Sequence, residues 1–487
     1  MKQIVKTKSV KMNMIMNAIL TMSSFIFPLV TFPYVSRILL PVGTGKVSFA
    51  TSVISYFSMF AQLGIPTYGV RACAKVRDDK EKLSRTVHEI MFINLFMCVI
   101  AYIALFVSMQ FVPRFRQDKL LLMVVSSTIL LNSIGVEWLY KSLEQYSYIT
   151  LRSIAFKFIA LVFMFLFIHE EKDYVIYGGI SIFASSASGI LNFINLRKYI
   201  YFRPMGGYDI KKHIKMVVVF FAMSVATTIY THLDTVMLGF MKSDVETGYY
   251  SAAVKIKSIL VGVVTAASGV LLPRVTYYIQ NGNREDFIRI AKKTLNFVFI
   301  TGAAFAVYFI IFAHEGIYFL SGSAYENSIV PMQVIMPTVL LIGLTNVMGI
   351  QMMVPLGKEK LVLYSEIAGA VINLIINAVL IPRLASTGAA IGTLVAEIVV
   401  WIVQYVSIRN MLKTAYRSIK YLRIVFGLML ASAASVWVKF IDIKDFLKLI
   451  ISGVLFFGIY FGILVITKEP LITELKNQAL GKLKGKK

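Results

Sequence analysis

The sequence predicts an all-α integral membrane protein with about fourteen transmembrane helices and both ends in the cytoplasm. Three observations carry that prediction. Of the 487 residues, 57% are hydrophobic, and mean hydropathy is +0.74, whereas soluble domains average roughly 45–50% apolar residues. The apolar residues fall in blocks of about twenty, the length that crosses a bilayer as a helix. The basic residues are concentrated in alternate loops.

The first apolar stretch, Met12 to Pro33, is long enough to be retained and lacks a small-x-small cleavage site. Further spans are predicted at 47–66, 87–111, 120–140, 149–168, 175–196, 216–240, 248–272, 295–313, 330–353, 361–381, 388–408, 421–437 and 446–467. Runs such as Ile149 to Ile168 do not alternate apolar and polar residues, which argues against a membrane barrel. One set of loops includes the N-terminus, Arg71 to Arg85, Arg197 to Lys215, Arg274 to Lys293, Arg409 to Arg423 and the C-terminal tail. It holds 36 Lys and Arg; the other set holds 11. The positive-inside rule places the richer set in the cytoplasm. The net charge of +25 is therefore a topology signal and a surface for anionic lipid, not a nucleic-acid footprint. The tail, with Lys482, Lys484, Lys486 and Lys487, is a solvated end facing lipid headgroups.

A repeat divides the chain. Thr44-Gly45-Lys46-Val47-Ser48-Phe49-Ala50 opens the second span, and Thr247-Gly248-Tyr249-Tyr250-Ser251-Ala252-Ala253 opens the eighth, at an offset of 203. Both spans end near a proline, Pro66 and Pro273. The copies are an even number of spans apart and so share an orientation. That predicts two parallel six-helix bundles, 1–215 and 216–420, with two further helices and a basic tail in 421–487. Parallel repeats of this kind are a transporter architecture.

Enzyme signatures are sparse. Gly43-Thr44-Gly45-Lys46 lacks P-loop spacing. His169-Glu170 and His314-Glu315 lack the second His of a zinc helix. Cys73 and Cys98 are too few for a disulfide framework or a four-cysteine metal site and read as small apolar fillers. No cofactor is implied.

Ionisable residues inside spans carry more information, because a charge in the bilayer is costly and marks function by default. Lys157, Lys255 and Lys257 lie inside spans, Arg37 follows the first, and Arg152 opens the fifth. Snorkelling accounts equally for those near span ends. Asp234, Asn373, Asn377 and Thr393 share a depth in the outer half of the membrane, with Glu397 one turn beyond Thr393. Oxygen ligands with one negative charge suit a small hard cation, and Glu397 adds a further ligand or a proton carrier. Ordinary interhelical hydrogen bonding, or an Asp234–Lys255 ion pair, is the competing account.

The order of several strings resembles the polysaccharide repeat-unit flippases (the Wzx type) of the MOP exporter superfamily, which also holds lipid II flippases and MATE exporters. Pro33-Tyr34-Val35-Ser36-Arg37 with Gly43 and Gly45 is similar to the family's first outer turn. Leu63-Gly64-Ile65-Pro66 with Gly69-Val70-Arg71 resembles its first inner loop, and Glu137-Trp138-Leu139-Tyr140 its segment between the fourth and fifth spans. Leu233-Asp234-Thr235, Gly248-Tyr249-Tyr250, and Asn373 through Glu397 resemble its later spans. The resemblance implies movement of an undecaprenyl-diphosphate-linked oligosaccharide from the inner to the outer leaflet of the bacterial plasma membrane by alternating access, alongside other polysaccharide-assembly proteins. It implies a basic cavity, with Arg37, Arg152, Lys157, Lys255 and Lys257 as substrate contacts. It further implies a sodium site at Asp234, Asn373, Asn377 and Thr393, with the Ala389 carbonyl as an added ligand. Asn377 departs from the pattern, since lipid II flippases have a second carboxylate there.

A MATE-like drug exporter is the main rival and predicts an acidic cavity. A membrane-embedded polymerase predicts a large outer loop, but the longest, His314 to Ser328, is short.

Overall fold

The structure is a computed structural model that describes residues 10–280, 283–474 and 477. The basic tail read from the sequence lies outside the described residues. Every regular element among the described residues is helical. Among the described residues, eleven helices are long and apolar enough to cross a membrane, or twelve if the bent pair Ser323–Ile335 and Thr338–Met353 forms one span.

Two of the eleven, Met12–Ala74 and Glu359–Lys413, run for 63 and 55 residues, well beyond what one crossing takes. The first contains α1 (Val10–Gln62), which breaks at Leu40 (φ 55°). Pro41 follows, and a proline drives the residue before it out of the helical region. The second breaks at Ala385 (φ 47°), just past Pro382. Beyond that break the chain folds back: a Cβ on Gly392 would collide with the side-chain oxygen of Asn377, although fifteen residues of straight helix span about 22 Å. Spans predicted as separate helices, 12–33 with 47–66 and 361–381 with 388–408, are thus joined through tight turns.

The chain forms two compact units, 1–251 and 252–487. In the first, α1 packs against α3 (Lys80–Phe111), α4 (Lys119–Ile134), α5 (Tyr146–Phe167) and α8 (Lys211–Met241). Between α5 and α8 lie α6 (Tyr174–Ile182), a π-helical turn at Phe183–Ala187, and α7 (Gly189–Asn195). Val53, Ile54, Leu105, Val125 and Ile129 form part of one buried core. Leu83, Val87, Trp138, Tyr140 and Ile149 belong to another. Large apolar side chains such as Phe96, Phe158 and Leu166 are exposed on helix surfaces, the pattern that suits lipid as solvent.

At the end of unit 1 that the charge pattern places outside, the two copies of the repeated string meet. A Cβ on Gly45 would run into the backbone of Asp244, and one on Gly248 into that of Pro41. Only glycine permits so close an approach. Around this contact, Arg114 pairs with Asp244 and, at 3.6 Å, with Asp118, and Lys46 reaches Asp118 at 2.9 Å. Arg114 Nε also donates to the Gly239 carbonyl at 3.1 Å.

In unit 2, α10 (Arg284–Ile311) packs on α11 (Thr338–Asn346), and α12 (Glu359–Ser418) carries the fold-back at Ala385. The last helices, α13 (Tyr421–Val436) and α14 (Asp445–Ile466), form a hairpin against α10. Tyr308, Phe312, Phe456 and Tyr460 fill its core.

Candidate functional site

A cavity of about 300 Å³ opens within unit 1. Its walls come from α1, α4, α8 and the π-helical turn after α6. Thr51 and Ser55 lie one turn apart on α1, with Gln62 further along. Thr128 and Asn132 lie one turn apart on α4, and Ser224, Thr228 and His232 follow at successive turns of α8. Residues four apart share a helix face, so each helix turns a polar stripe inward. Ser185 enters from the π-helical turn, a distortion that often occurs at functional sites. Ten of the fifteen lining residues are polar, and none is Lys, Arg, Asp or Glu.

The predicted cations of unit 1 lie elsewhere. Arg37 is exposed beside the Leu40 break, where its guanidinium reaches the Pro33 carbonyl. Arg152 is buried; it donates to the Ser188 carbonyl, lies 3.7 Å from Glu137 and faces the Tyr148 ring. It therefore braces α5 against α7. Lys157 Nζ donates to Ser23 Oγ at 2.8 Å and Ser24 Oγ at 3.0 Å, tying α5 to α1. Lys255 and Lys257 belong to unit 2 and are half-buried on the helix Asp244–Gln280.

The fold-back at Ala385 brings most of the predicted ion ligands together. Asn377 Nδ2 donates to Asn373 Oδ1 at 3.1 Å. Asn377 packs against Gly392, whose neighbour Thr393 donates to the Ala389 carbonyl at 3.1 Å. Asn373, Asn377, Ala389 and Thr393 are buried, as is Glu397. Asp234 is also buried but belongs to unit 1, where it accepts a 2.6 Å hydrogen bond from Tyr250.

The family profile described as "Polysaccharide biosynthesis protein" matches residues 10–278, over half the chain. The chain belongs to the polysaccharide biosynthesis protein family. Its long apolar helices are those of a multi-pass membrane protein. A protein named "Putative O-antigen transporter" from Escherichia coli (strain K12) is 26% identical over 404 residues, covering 82% of this chain and 97% of the relative. One of the same name from Shigella dysenteriae is 21% identical over 407 residues, covering 80% and 98%. Among solved structures, "Lipid II flippase MurJ, inward closed conformation" has a similar fold, with TM-score 0.71, 15% identity and 95% of this chain covered, 99% of that one. An inward-facing multidrug resistance MATE transporter of the MOP superfamily gives TM-score 0.60 at 15% identity, covering 81% and 96%. The MOP-like fold implied by the family resemblance is thus the fold found.

One polar cluster in this family member has no counterpart in the sequence reading. Glu89 is fully buried and accepts from His213 Nε2 at 2.8 Å, Lys212 Nζ at 2.8 Å and the Asp209 backbone N–H at 2.7 Å. With the His213 proton on Nε2, its Nδ1 accepts from the Tyr68 hydroxyl at 2.5 Å. The cluster fastens the start of α8 to α2 (Ile65–Ala74) and α3. No local spacing could reveal it, because Tyr68, Glu89 and His213 are remote in sequence.

Proposed function

We propose that the protein moves an undecaprenyl-diphosphate-linked oligosaccharide from the inner to the outer leaflet of the bacterial plasma membrane, for assembly of a surface polysaccharide. The observation that carries this is a polar cavity inside an apolar helix bundle of a polysaccharide biosynthesis family member. Alternating access between the repeat-related bundles 1–215 and 216–420 is the mechanism. A lipid tail can stay in the bilayer while the headgroup crosses, so only the headgroup needs polar shelter. The diphosphate is met by Lys255 and Lys257, whose charges offset its desolvation. Arg152 serves as a brace. The names of the O-antigen transporters support a lipid-linked glycan as cargo.

Coupling to a cation is part of the proposal. Sodium, held by Asn373, Asn377, Thr393 and the Ala389 carbonyl, favours one state only by its difference in affinity between states. A twenty-fold difference amounts to about 1.8 kcal/mol, enough to bias a balanced equilibrium.

The test is reconstitution into proteoliposomes with the lipid-linked repeat unit, scoring its exposure to an impermeant glycosidase. Transport that requires the protein, falls when sodium is replaced by potassium and loses that dependence in Asn373→Leu is the expected result. Absence of protein-dependent movement overturns the flippase reading. Movement indifferent to sodium overturns the sodium site and leaves protons, through Asp234 or Glu397, as the coupling ion.

A further inference from the structure

We infer that the cavity of unit 1 is a subsite for the uncharged sugars of the cargo and excludes its diphosphate; this rests on the flippase reading. The argument starts from where the side-chain protons point. Ser55 Oγ donates to the Thr51 carbonyl at 2.8 Å, and Ser224 Oγ to that of Phe220 at 3.1 Å. Ser185 Oγ donates to the Ile182 carbonyl at 3.3 Å. Such back-bonding satisfies the hydroxyl proton within the helix and leaves the oxygen lone pairs facing outward. The amides behave alike: Gln62 Nε2 donates to Ser58 Oγ at 2.9 Å, and Asn132 Nδ2 to Thr128 Oγ1 at 3.5 Å. Their side-chain carbonyls remain available as acceptors.

The wall is therefore rich in acceptors and carries no formal charge. A diphosphate, itself acceptor-only and doubly charged or more, finds no cation here, and the few remaining amide, hydroxyl and imidazole donors cannot offset the loss of its hydration. A sugar presents many hydroxyl and amide donors with no charge to desolvate, and it complements this wall. The volume of about 300 Å³ is at the lower end for small-molecule pockets, roughly 300–1,000 Å³, so the cavity takes part of a glycan and not a whole repeat unit. Thr51, Asn132 and Ser185 are exposed, so a headgroup reaches them without opening a core.

The experiment measures binding of two probes to the full-length protein in detergent. One is bare undecaprenyl diphosphate; the other is the same lipid carrying a neutral oligosaccharide of hexoses and N-acetylhexosamines. The wild type is expected to hold the glycosylated lipid about tenfold tighter, which is about 1.4 kcal/mol. Asn132→Leu combined with Thr228→Leu should bring the ratio to about one with bare-lipid affinity unchanged. Should that pair fail to fold, Thr228→Val, which removes a hydroxyl at constant shape, should still lower the ratio. Equal affinity for both lipids in the wild type, or a ratio the variants leave intact, overturns the sugar subsite alone. Binding of neither lipid by the wild type instead overturns the flippase reading beneath it.

Discussion

Two regions of unit 1 use polarity in opposite ways. At the Gly45 end, full charges are paired tightly: Arg114 with Asp244 and Asp118, and Lys46 with Asp118. Around the cavity no lining side chain is Lys, Arg, Asp or Glu, and hydroxyls such as those of Ser55 and Ser224 bond their own helices. Charges that bond one another hold segments together, and removing one partner leaves the other exposed to a desolvation penalty. Hydroxyls that bond their own helix hold nothing together and can be exchanged cheaply. The first region is built to close, the second to meet a ligand.

The sharpest way to break the contrast is Gly45→Leu. Its side chain cannot fit against the Asp244 backbone, and overpacking costs typically 1–3 kcal/mol or more. We expect this end to be pried apart, so that a cysteine placed at buried Thr44 gains labelling by an impermeant maleimide, with export falling at least tenfold. Unchanged labelling would show that the glycine contact seals nothing. Next in size is Arg114→Ala, which strands Asp244 and leaves Asp118 only Lys46 as a cation; both carboxylates keep some exposure, so we expect a loss of about 1–3 kcal/mol in thermal unfolding. The double variant with Asp244→Ala should recover part of it, and strict additivity would mean that the pair does not interact. Smallest is Ser55→Ala. Its hydroxyl serves only its own helix within the protein, so stability should move by no more than about 0.5 kcal/mol while preference for the glycosylated lipid drops. A large stability loss would reassign Ser55 from the cavity wall to the scaffold.

Span positions, their apolar content and the repeat were legible because each leaves a mark along the chain: block length, loop charge, a recurring string. The grouping of Asn373, Asn377 and Thr393 was legible too, since spacing and depth place them on adjoining helices. The cavity was not recognised. Ser224, Thr228 and His232 at successive turns were a usable signal, but Ser and Thr inside spans are common and read as filler. Arg152 misled for a related reason. A buried cation suggests a ligand, yet its neighbours, the Ser188 carbonyl and Glu137, come from segments whose proximity only the fold decides. The Glu89–His213–Tyr68 cluster was hidden in the same way.

The glycine contact has one more property. Gly45 rests on Asp244, and Gly248 rests on Pro41. Gly45 and Gly248 are 203 residues apart, the repeat offset, and so are Pro41 and Asp244. Each copy therefore offers the other the same patch, residue for equivalent residue, as the two subunits of an isologous dimer do. The seam is a dimer interface folded into a single chain. A side chain harmful at position 45 therefore meets its mirror constraint at 248.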